Sequence, residues 1–146
     1  MNREELKSIL PHREPMLLLD EADRNEDGSA TAFYTVRGDE YFLQGHFPGN
    51  PIVPGVIQCE MMAQSACILF KDRMNSGNVL PVYTGLDKVR FRKQIVPGDL
   101  IRIDVKIIRG CHPLYQLSGT VSVDGKKCMS GDFSFAITNE GDSKEA

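Results

Sequence analysis

The sequence predicts an α+β fold in which an antiparallel sheet surrounds one long helix. Residues VIQCEMMAQSACILF (56–70) are apolar on almost every helical face, and such a helix is buried on most sides rather than lying on the surface. In LIRIDVKII (100–108), apolar and charged residues alternate, which is typical of a half-buried strand. Four or so strand patterns in the second half of the chain provide a sheet to enclose the helix. A second subunit could cover the part of the helix surface that the sheet leaves exposed.

Short elements precede the long helix. Residues 2–9 predict a first helix, because Asn2 can cap it and the carboxylates of Glu4 and Glu5 favour its positive end. Pro11 ends this segment, since proline has no N–H with which to continue a helix. Three further patterns predict a strand, a turn and a second strand: MLLLD (16–20), NEDGS (25–29) and ATAFYTV (30–36).

The long helix is predicted to begin at Pro54 and to end near Lys71 or Arg73, where SGN (76–78) breaks it. Pro54 suits the first turn of a helix, because its missing N–H has no partner to lose there. After this break, strand patterns continue to Ile137, which gives one long helix in the first half of the chain and a sheet in the second.

The strand patterns are separated by turn signals and end before a polar tail. Asp124-Gly125 supplies a hairpin turn between two of them. This layout predicts a single domain over residues 1–138, a size at which most of the extended-chain surface can be removed from water. The last residues, NEGDSKEA (139–146), contain too little apolar surface to pack and are expected to be disordered.

Charge and composition exclude several classes of partner. The 146 residues carry a formal net charge of −3, whereas nucleic-acid binding requires a basic excess. No apolar run approaches the length of about 18 residues that a membrane helix needs, and the N-terminus lacks the apolar core of a signal peptide. The four cysteines form no CxxC pair and no metal-type pairing with the three histidines. Reduced thiols in a cytoplasmic protein, without a metal site, are therefore expected.

A loop rich in proline and glycine, GHFPGNPIVPG (45–55), leads into the long helix and contains one histidine. His46 is a natural general base near neutral pH, and the prolines restrict the movement of its backbone. Glu60 lies in the middle of the apolar helix, where burial raises the pKa of a carboxyl group and favours its protonated form. The two residues form a candidate base and acid, although a loop histidine and a helical glutamate are each more often structural.

Three further residues complete this candidate site. Gln64 lies four residues after Glu60, on the same helical face, where it could orient the carboxyl group. The free N–H groups at Gly55 and Val56 lie at the positive end of the helix dipole and would stabilise a developing oxyanion. Gly55 also lets a substrate approach the backbone closely.

The chain resembles a known family of enzymes over roughly residues 8–137. Its segment GHFPGNPIVPGVIQCEMMAQ is similar to the signature of the 3-hydroxyacyl-[acyl-carrier-protein] dehydratases of the FabZ type, with a glutamate fourteen residues after the histidine. Three further segments resemble the family and occur in the same order along the chain as in its members: LPHREPMLLLD, LDKVRFRKQIVPGD and VDGK. The related decanoyl dehydratase-isomerases carry aspartate at the glutamate position, so Glu60 favours the FabZ type.

The resemblance implies a hot-dog fold, in which a curled antiparallel sheet wraps one long helix. It also implies a homodimer with His46 of one subunit facing Glu60 of the other, and further assembly into a hexamer, a trimer of dimers. His46 would remove the C2 proton of the thioester, and Glu60 would protonate the departing 3-hydroxyl. The Gly55 N–H would polarise the thioester carbonyl and Gln64 would support Glu60. No metal or organic cofactor would be required.

A basic segment in the second half of the chain is a candidate binding surface for an acidic partner. Residues 88–109 contain seven basic side chains against two acidic ones, in a chain that is acidic overall. This asymmetry would suit an acyl carrier protein, and the alternative is a set of solvated strand faces. The residues proposed for carrier-protein binding are Lys88, Arg90, Arg92 and Lys93.

Two other functions remain open from the sequence. A hot-dog thioesterase acting on acyl-CoA would share the fold, but such enzymes generally lack a histidine and a glutamate at this spacing. A non-catalytic acyl-binding or assembly subunit would need neither residue. The two remaining histidines have no assigned chemistry: His12, in LPHREP, is expected to be structural, and His112, beside Pro113 in a turn, is expected to be exposed.

Overall fold

The computed structural model describes residues 1–74 and 79–139, and these residues form three helices and six strands. The helices are α1 (Arg3–Leu6), α2 (Gly55–Cys67) and α3 (Lys71–Met74). The strands are β1 (Glu21–Arg24), β2 (Ala30–Thr35), β3 (Val79–Phe91), β4 (Leu100–Cys111), β5 (Leu114–Val123) and β6 (Lys126–Asn139). Short 3₁₀ turns cover Tyr41–Leu43 and Ile68–Phe70.

All six strands join one curled antiparallel sheet in the order β1-β2-β4-β5-β6-β3. The helix α2 contacts β2, β3, β4 and β5, so the sheet surrounds it. The predicted α+β class and the hot-dog fold are therefore confirmed. Among the described strands, β3 lies at one edge of the sheet and pairs only with β6.

The helix α2 is buried on most sides, as its apolar composition predicts. Met61, Met62 and Ala66 are completely buried, whereas Val56 at the beginning of the helix is 76% exposed. Close packing against the sheet depends on Gly119 in β5, because a Cβ atom there would lie 2.5 Å from the sulfur atom of Met62. The first turn of α2 is therefore its most accessible part.

The predicted strand over MLLLD (16–20) is wrong. Its three leucines are buried, but the segment is irregular and β1 begins only after it. The Arg3 guanidinium donates to two of its carbonyl oxygens at 2.9 and 2.6 Å, and the side-chain amide of Gln64 bonds to two further backbone groups. Side chains thus satisfy four backbone groups of the segment that would otherwise need a neighbouring strand, while the Asp20 N–H donates to the Phe33 carbonyl oxygen in β2 at 2.8 Å.

The predicted first helix is confirmed at its beginning and is shorter than expected. The Asn2 side chain accepts a hydrogen bond from the Glu5 N–H at 2.9 Å, and the Glu5 side chain completes a capping box. The regular helix ends at Leu6, after which single turns lead to Leu10.

The other predicted elements of the described residues are present. The turn over 25–29 joins β1 to β2, and Asp124-Gly125 joins β5 to β6. Helical conformation after Cys67 continues through a 3₁₀ turn and α3 to Met74. The predicted helix break at 76–78 and residues 140–146 of the predicted tail lie outside the described residues.

Within residues 1–74 and 79–139, no helix is long and apolar enough to cross a membrane. The same residues contain no group of three or more side chains suited to holding a metal ion. All four cysteines are free thiols, and only Cys111 is exposed.

Candidate active site

The loop before α2 holds His46 through both its backbone and its ring. The Nδ1 atom of His46 lies 2.9 Å from the carbonyl oxygen of Ile52, and the Ile52 N–H donates to the His46 carbonyl oxygen at 2.8 Å. A carbonyl oxygen can only accept, so in the neutral ring Nδ1 carries the proton and Nε2 keeps its lone pair. The ring stacks on Phe47 with centroids 4.3 Å apart. His46 is therefore held in the tautomer that a general base acting through Nε2 requires.

His46 shares a cavity of about 570 Å³ with the beginning of α2. Its walls include Pro54, Gly55 and Val56, so the predicted oxyanion-stabilising groups lie in the same cavity as the predicted base. The first N–H groups of a helix have no acceptor within the helix and lie at the positive end of its dipole. Such groups are suited to stabilising an oxygen atom that becomes negatively charged, so the predicted role of Gly55 and Val56 stays a prediction.

Glycine at position 55 allows an aromatic ring to form one wall of this cavity. A Cβ atom on Gly55 would lie 2.7 Å from two carbon atoms of the Phe91 ring, which is too close without a shift of the ring. Phe91 is the last residue of the edge strand β3 and is 55% exposed. The edge of the sheet that β3 leaves unpaired among the described strands therefore ends at the wall of the His46 cavity.

Glu60 belongs to a second group of side chains on α2. Its Oε1 atom accepts a hydrogen bond from Nε2 of Gln64 at 3.1 Å and lies 3.3 Å from Nε2 of His12. The contact with Gln64 confirms that the two residues share one helical face. Glu60 does not line the His46 cavity, and within the described part of the chain no hydrogen bond or ion pair joins Glu60 to His46.

The expectation that the protein environment raises the pKa of Glu60 is wrong for the single chain. Burial is the largest influence and raises this pKa, but the hydrogen bonds from His12 and Gln64 and the charge of His12 together lower it further. The net shift is downward from the ordinary value, so Glu60 is ionised near neutral pH. The expectation considered burial alone and did not include His12.

Gln64 is completely buried and hydrogen-bonded at both ends of its amide group. Its Oε1 accepts from the Leu18 N–H at 2.9 Å, and its Nε2 donates to the Met16 carbonyl oxygen at 2.7 Å as well as to Glu60. The amide oxygen thus faces an N–H, and the amide nitrogen faces two oxygens. Gln64 therefore connects α2 to the irregular segment 16–20 and holds Glu60 in place.

Replacing Gln64 by methionine is expected to lower the free energy of unfolding by about 1–3 kcal/mol, because the buried Leu18 N–H loses its acceptor. Urea unfolding of Gln64→Met and of the exposed control Gln44→Met measures this difference. Equal stability of the two variants would show that the buried amide group contributes nothing to the fold.

The four basic residues proposed for carrier-protein binding are exposed, and two of them lie at the His46 cavity. Arg92 and Lys93 line its wall, and their backbone N–H groups both donate to the carbonyl oxygen of Cys128. Lys88 lines a separate groove on the sheet, and Arg90 lines neither. None of the four forms an ion pair with a described residue.

Sequence reasoning missed the position of His12, which contacts Glu60 although the two residues are distant in the chain. No helical or strand spacing relates them, and the one signal was a histidine in the motif LPHREP. His112 is exposed in the turn between β4 and β5, as expected.

The fold and these two groups of side chains define a hot-dog protein with a candidate acid–base site. The family model described as a FabA-like domain matches residues 10–132. The chain is 41% identical over 137 residues to the 3-hydroxyacyl-[acyl-carrier-protein] dehydratase FabZ of Clostridium perfringens, covering 94% of this chain and 99% of the relative. It is 41% identical over 138 residues to the dehydratase of the same name from Petrotoga mobilis, covering 94% and 98%. A chain of the solved dehydratase heterocomplex ApeI:P from Xenorhabdus doucetiae superposes with a TM-score of 0.82 at 23% identity, over 96% of this chain and 95% of that chain.

The chain therefore belongs to the FabA-like family and, within it, to the FabZ-type 3-hydroxyacyl-[acyl-carrier-protein] dehydratases. This confirms the resemblance found in the loop and helix motif. The solved heterocomplex, at its lower identity, supports the hot-dog fold alone.

Proposed function

We propose that this chain dehydrates 3-hydroxyacyl-[acyl-carrier-protein] thioesters to trans-2-enoyl thioesters in fatty-acid biosynthesis, with His46 as the base and Glu60 as the acid. The observation that supports this most is the hydrogen bond from His46 Nδ1 to the Ile52 carbonyl, which leaves Nε2 beside the beginning of α2 without a hydrogen-bond partner among the described residues. A free imidazole lone pair beside oxyanion-stabilising N–H groups suits removal of a proton next to a thioester carbonyl.

In the proposed reaction, Nε2 of His46 takes the C2 proton while the N–H groups of Gly55 and Val56 stabilise the charge on the thioester oxygen. The electrons of the broken C2–H bond form the C2–C3 double bond as the C3–O bond breaks. The hydroxyl group leaves as water with a proton from Glu60. Exchange with solvent then removes the proton from His46 and returns one to Glu60. The reaction balances without an oxidant or a cofactor, and the absence of a cofactor requirement stays a prediction.

Glu60 must be protonated to act as the acid, although its pKa is lowered in the single chain. Its side chain is 26% exposed there. A second chain and the bound thioester would remove water from this exposed part, and desolvation raises the pKa of a carboxyl group. The assembled site is thus the state in which Glu60 carries the proton.

We infer that this site forms between two copies of the chain. Two features support the inference: His46 and Glu60 lie in different groups of side chains, and β3 has an edge that pairs with no other described strand and ends at the wall of the His46 cavity. A long free edge presents backbone N–H and C=O groups that a second strand can pair with. A partner chain along β3 would bring its own residues to the cavity. Further assembly into a trimer of dimers stays a prediction from the resemblance.

Incubation with 3-hydroxyacyl carrier-protein thioesters of several chain lengths tests the proposed reaction. Loss of one water from the acyl group, with the thioester intact and a trans-2 double bond, supports a dehydratase. Release of a free thiol with the hydroxyl group retained would instead identify a thioesterase, and tight binding without turnover an acyl-binding subunit.

The acyl carrier protein is proposed to approach over the basic residues at the His46 cavity. Arg92 and Lys93 line that cavity, and Arg90 precedes them at the end of β3. None of them is neutralised by an ion pair with a described residue, so their charges are available to an acidic partner. This makes the approach of a carrier protein an electrostatic step that salt weakens.

We expect KM for a carrier-bound substrate to rise with salt, because the Debye length falls from about 10 Å at 0.1 M to about 3 Å at 1 M. The double variant Arg90→Glu with Lys93→Glu should reproduce this rise at low salt. A short pantetheine thioester lacks the protein partner, so its KM should change little in either case. The control variant Arg24→Glu with Lys71→Glu reverses two exposed charges on a different part of the surface. If both substrates respond equally, the basic residues are only a solvated surface.

The extent of the domain and the cellular location are two further proposals. We infer that residues 1–138 act as one catalytic domain, since a single sheet and helix α2 organise the described residues among them. We also infer a cytoplasmic location, because free thiols persist most readily in a reducing compartment.

A further inference from the structure

His12 contacts Glu60 and has no role in the proposed reaction as described so far. His12 is mostly buried, with 20% of its side chain exposed, and its Nε2 lies 3.3 Å from Oε1 of Glu60. Its Nδ1 is buried and has no hydrogen-bond partner within the described part of the chain. The ring is therefore oriented by its contact with Glu60, and Nε2 carries the proton that faces the carboxylate.

The two oxygens of Glu60 differ in their contacts. Oε1 is in contact with two donor nitrogens, Nε2 of Gln64 and Nε2 of His12. Oε2 has no hydrogen-bond or ion-pair partner among residues 1–74 and 79–139. Two donors on one oxygen hold the carboxylate plane and leave the other oxygen available.

The other titratable groups around Glu60 stay neutral at neutral pH. Burial raises the pKa of the Cys67 thiol to about 12, and the charge of Glu60 contributes to this rise. Burial likewise raises the pKa of the Tyr83 phenol, whose hydroxyl donates to the carbonyl oxygen of Cys59. Burial also raises the pKa of the Cys59 thiol. Among the described residues, His12 is thus the titratable neighbour that favours the ionised form of Glu60.

We propose that His12 is a positioning residue that, together with Gln64, holds Oε1 of Glu60 and so presents Oε2 to the departing 3-hydroxyl group. The proposal rests on the proposed function and adds a residue to the same site. When Glu60 gives its Oε2 proton to the leaving hydroxyl, the O–H bond of the carboxyl group breaks and its electrons stay on the carboxylate. The N–H of His12 stabilises the charge that develops, because hydrogen bonds to an ionised acceptor are stronger than those to a neutral one.

Two substitutions separate this role from simple packing. His12→Phe keeps an aromatic ring at this partly buried position and removes the Nε2–H donor. Loss of Nδ1 breaks no hydrogen bond with a described residue, because Nδ1 has no partner there. His12→Gln keeps an N–H at the same number of bonds from Cβ as Nε2. We expect His12→Phe to lower kcat by about tenfold or more with little change in KM, and His12→Gln to recover a substantial part of that loss. His112→Phe, in the exposed turn between β4 and β5, is the matched control.

A second measurement does not depend on turnover. NMR titration of protein labelled with ¹³C at glutamate carboxyl groups follows the ionisation of Glu60, assigned by comparison with Glu60→Gln. His12→Phe should shift this titration to higher pH, and His12→Gln should shift it less. A wild-type protein that dehydrates none of the thioesters would contradict the proposed function, and the Glu60 titration would still decide the role of His12.

Two results would overturn the proposal. One is a Glu60 titration that is unchanged in His12→Phe. The other is an equal loss of kcat in His12→Phe and His12→Gln that follows a matching loss of melting temperature, because this pattern describes a residue needed only for packing.

Discussion

Replacing His46 by alanine or Glu60 by glutamine should each lower kcat by at least about 10²-fold, the usual scale for a group that transfers a proton. Alanine at position 46 removes the Nε2 lone pair that the Ile52 carbonyl keeps available. Glutamine at position 60 keeps the volume of the side chain and an oxygen that can accept from Gln64, but it has no acidic proton to give. Turnover of a 3-hydroxyacyl-pantetheine thioester measures both effects without a carrier protein.

The controls for this prediction use the same substitutions at exposed positions. His112→Ala lies in the turn between β4 and β5, and Glu26→Gln lies in the turn between β1 and β2. Both should leave kcat unchanged. All four variants should keep the melting temperature close to that of the wild type, since none removes a large apolar side chain from the core. Near-normal kcat in either site variant would exclude that residue from proton transfer.

Much of the fold was predictable because its hydrophobic patterns are regular. The period-two alternation at the start of β4 and the apolar faces of α2 each reflect burial that the structure confirms. The segment MLLLD has a similar apolar run but forms no strand, because Arg3 and Gln64 satisfy four of its backbone groups. A pattern of apolar residues reports burial, whereas strand formation also depends on where the backbone hydrogen bonds go.

The candidate site was predictable where its residues are close in sequence. Glu60 and Gln64 meet because a four-residue spacing places them on one helical face. The contact between Glu60 and His12 joins segments that are distant in the chain, so no spacing could indicate it. The predicted direction of the Glu60 pKa shift was therefore wrong, since the shift depends on that contact as well as on burial.

Mixing His46→Ala chains with Glu60→Gln chains should restore activity that neither variant has alone. Each mixed dimer would contain one site with an intact His46 from one chain and an intact Glu60 from the other. The second site in that dimer would have neither residue. Random exchange between equal amounts of the two chains would place half of the dimers in the mixed state. The expected recovery is therefore about a quarter of the wild-type activity for a symmetric dimer.

Subunit exchange has to be verified for this recovery to be informative. Native mass spectrometry of chains with tags of different mass reports the fraction of mixed dimers directly. A chain that carries both substitutions is the negative control, because its mixture with either single variant contains no complete site. If the single variants exchange subunits and remain inactive, each active site lies within one chain. Recovery in proportion to the mixed dimers would instead assign His46 and Glu60 of one site to different subunits, as their separate positions on α2 and its preceding loop lead us to expect.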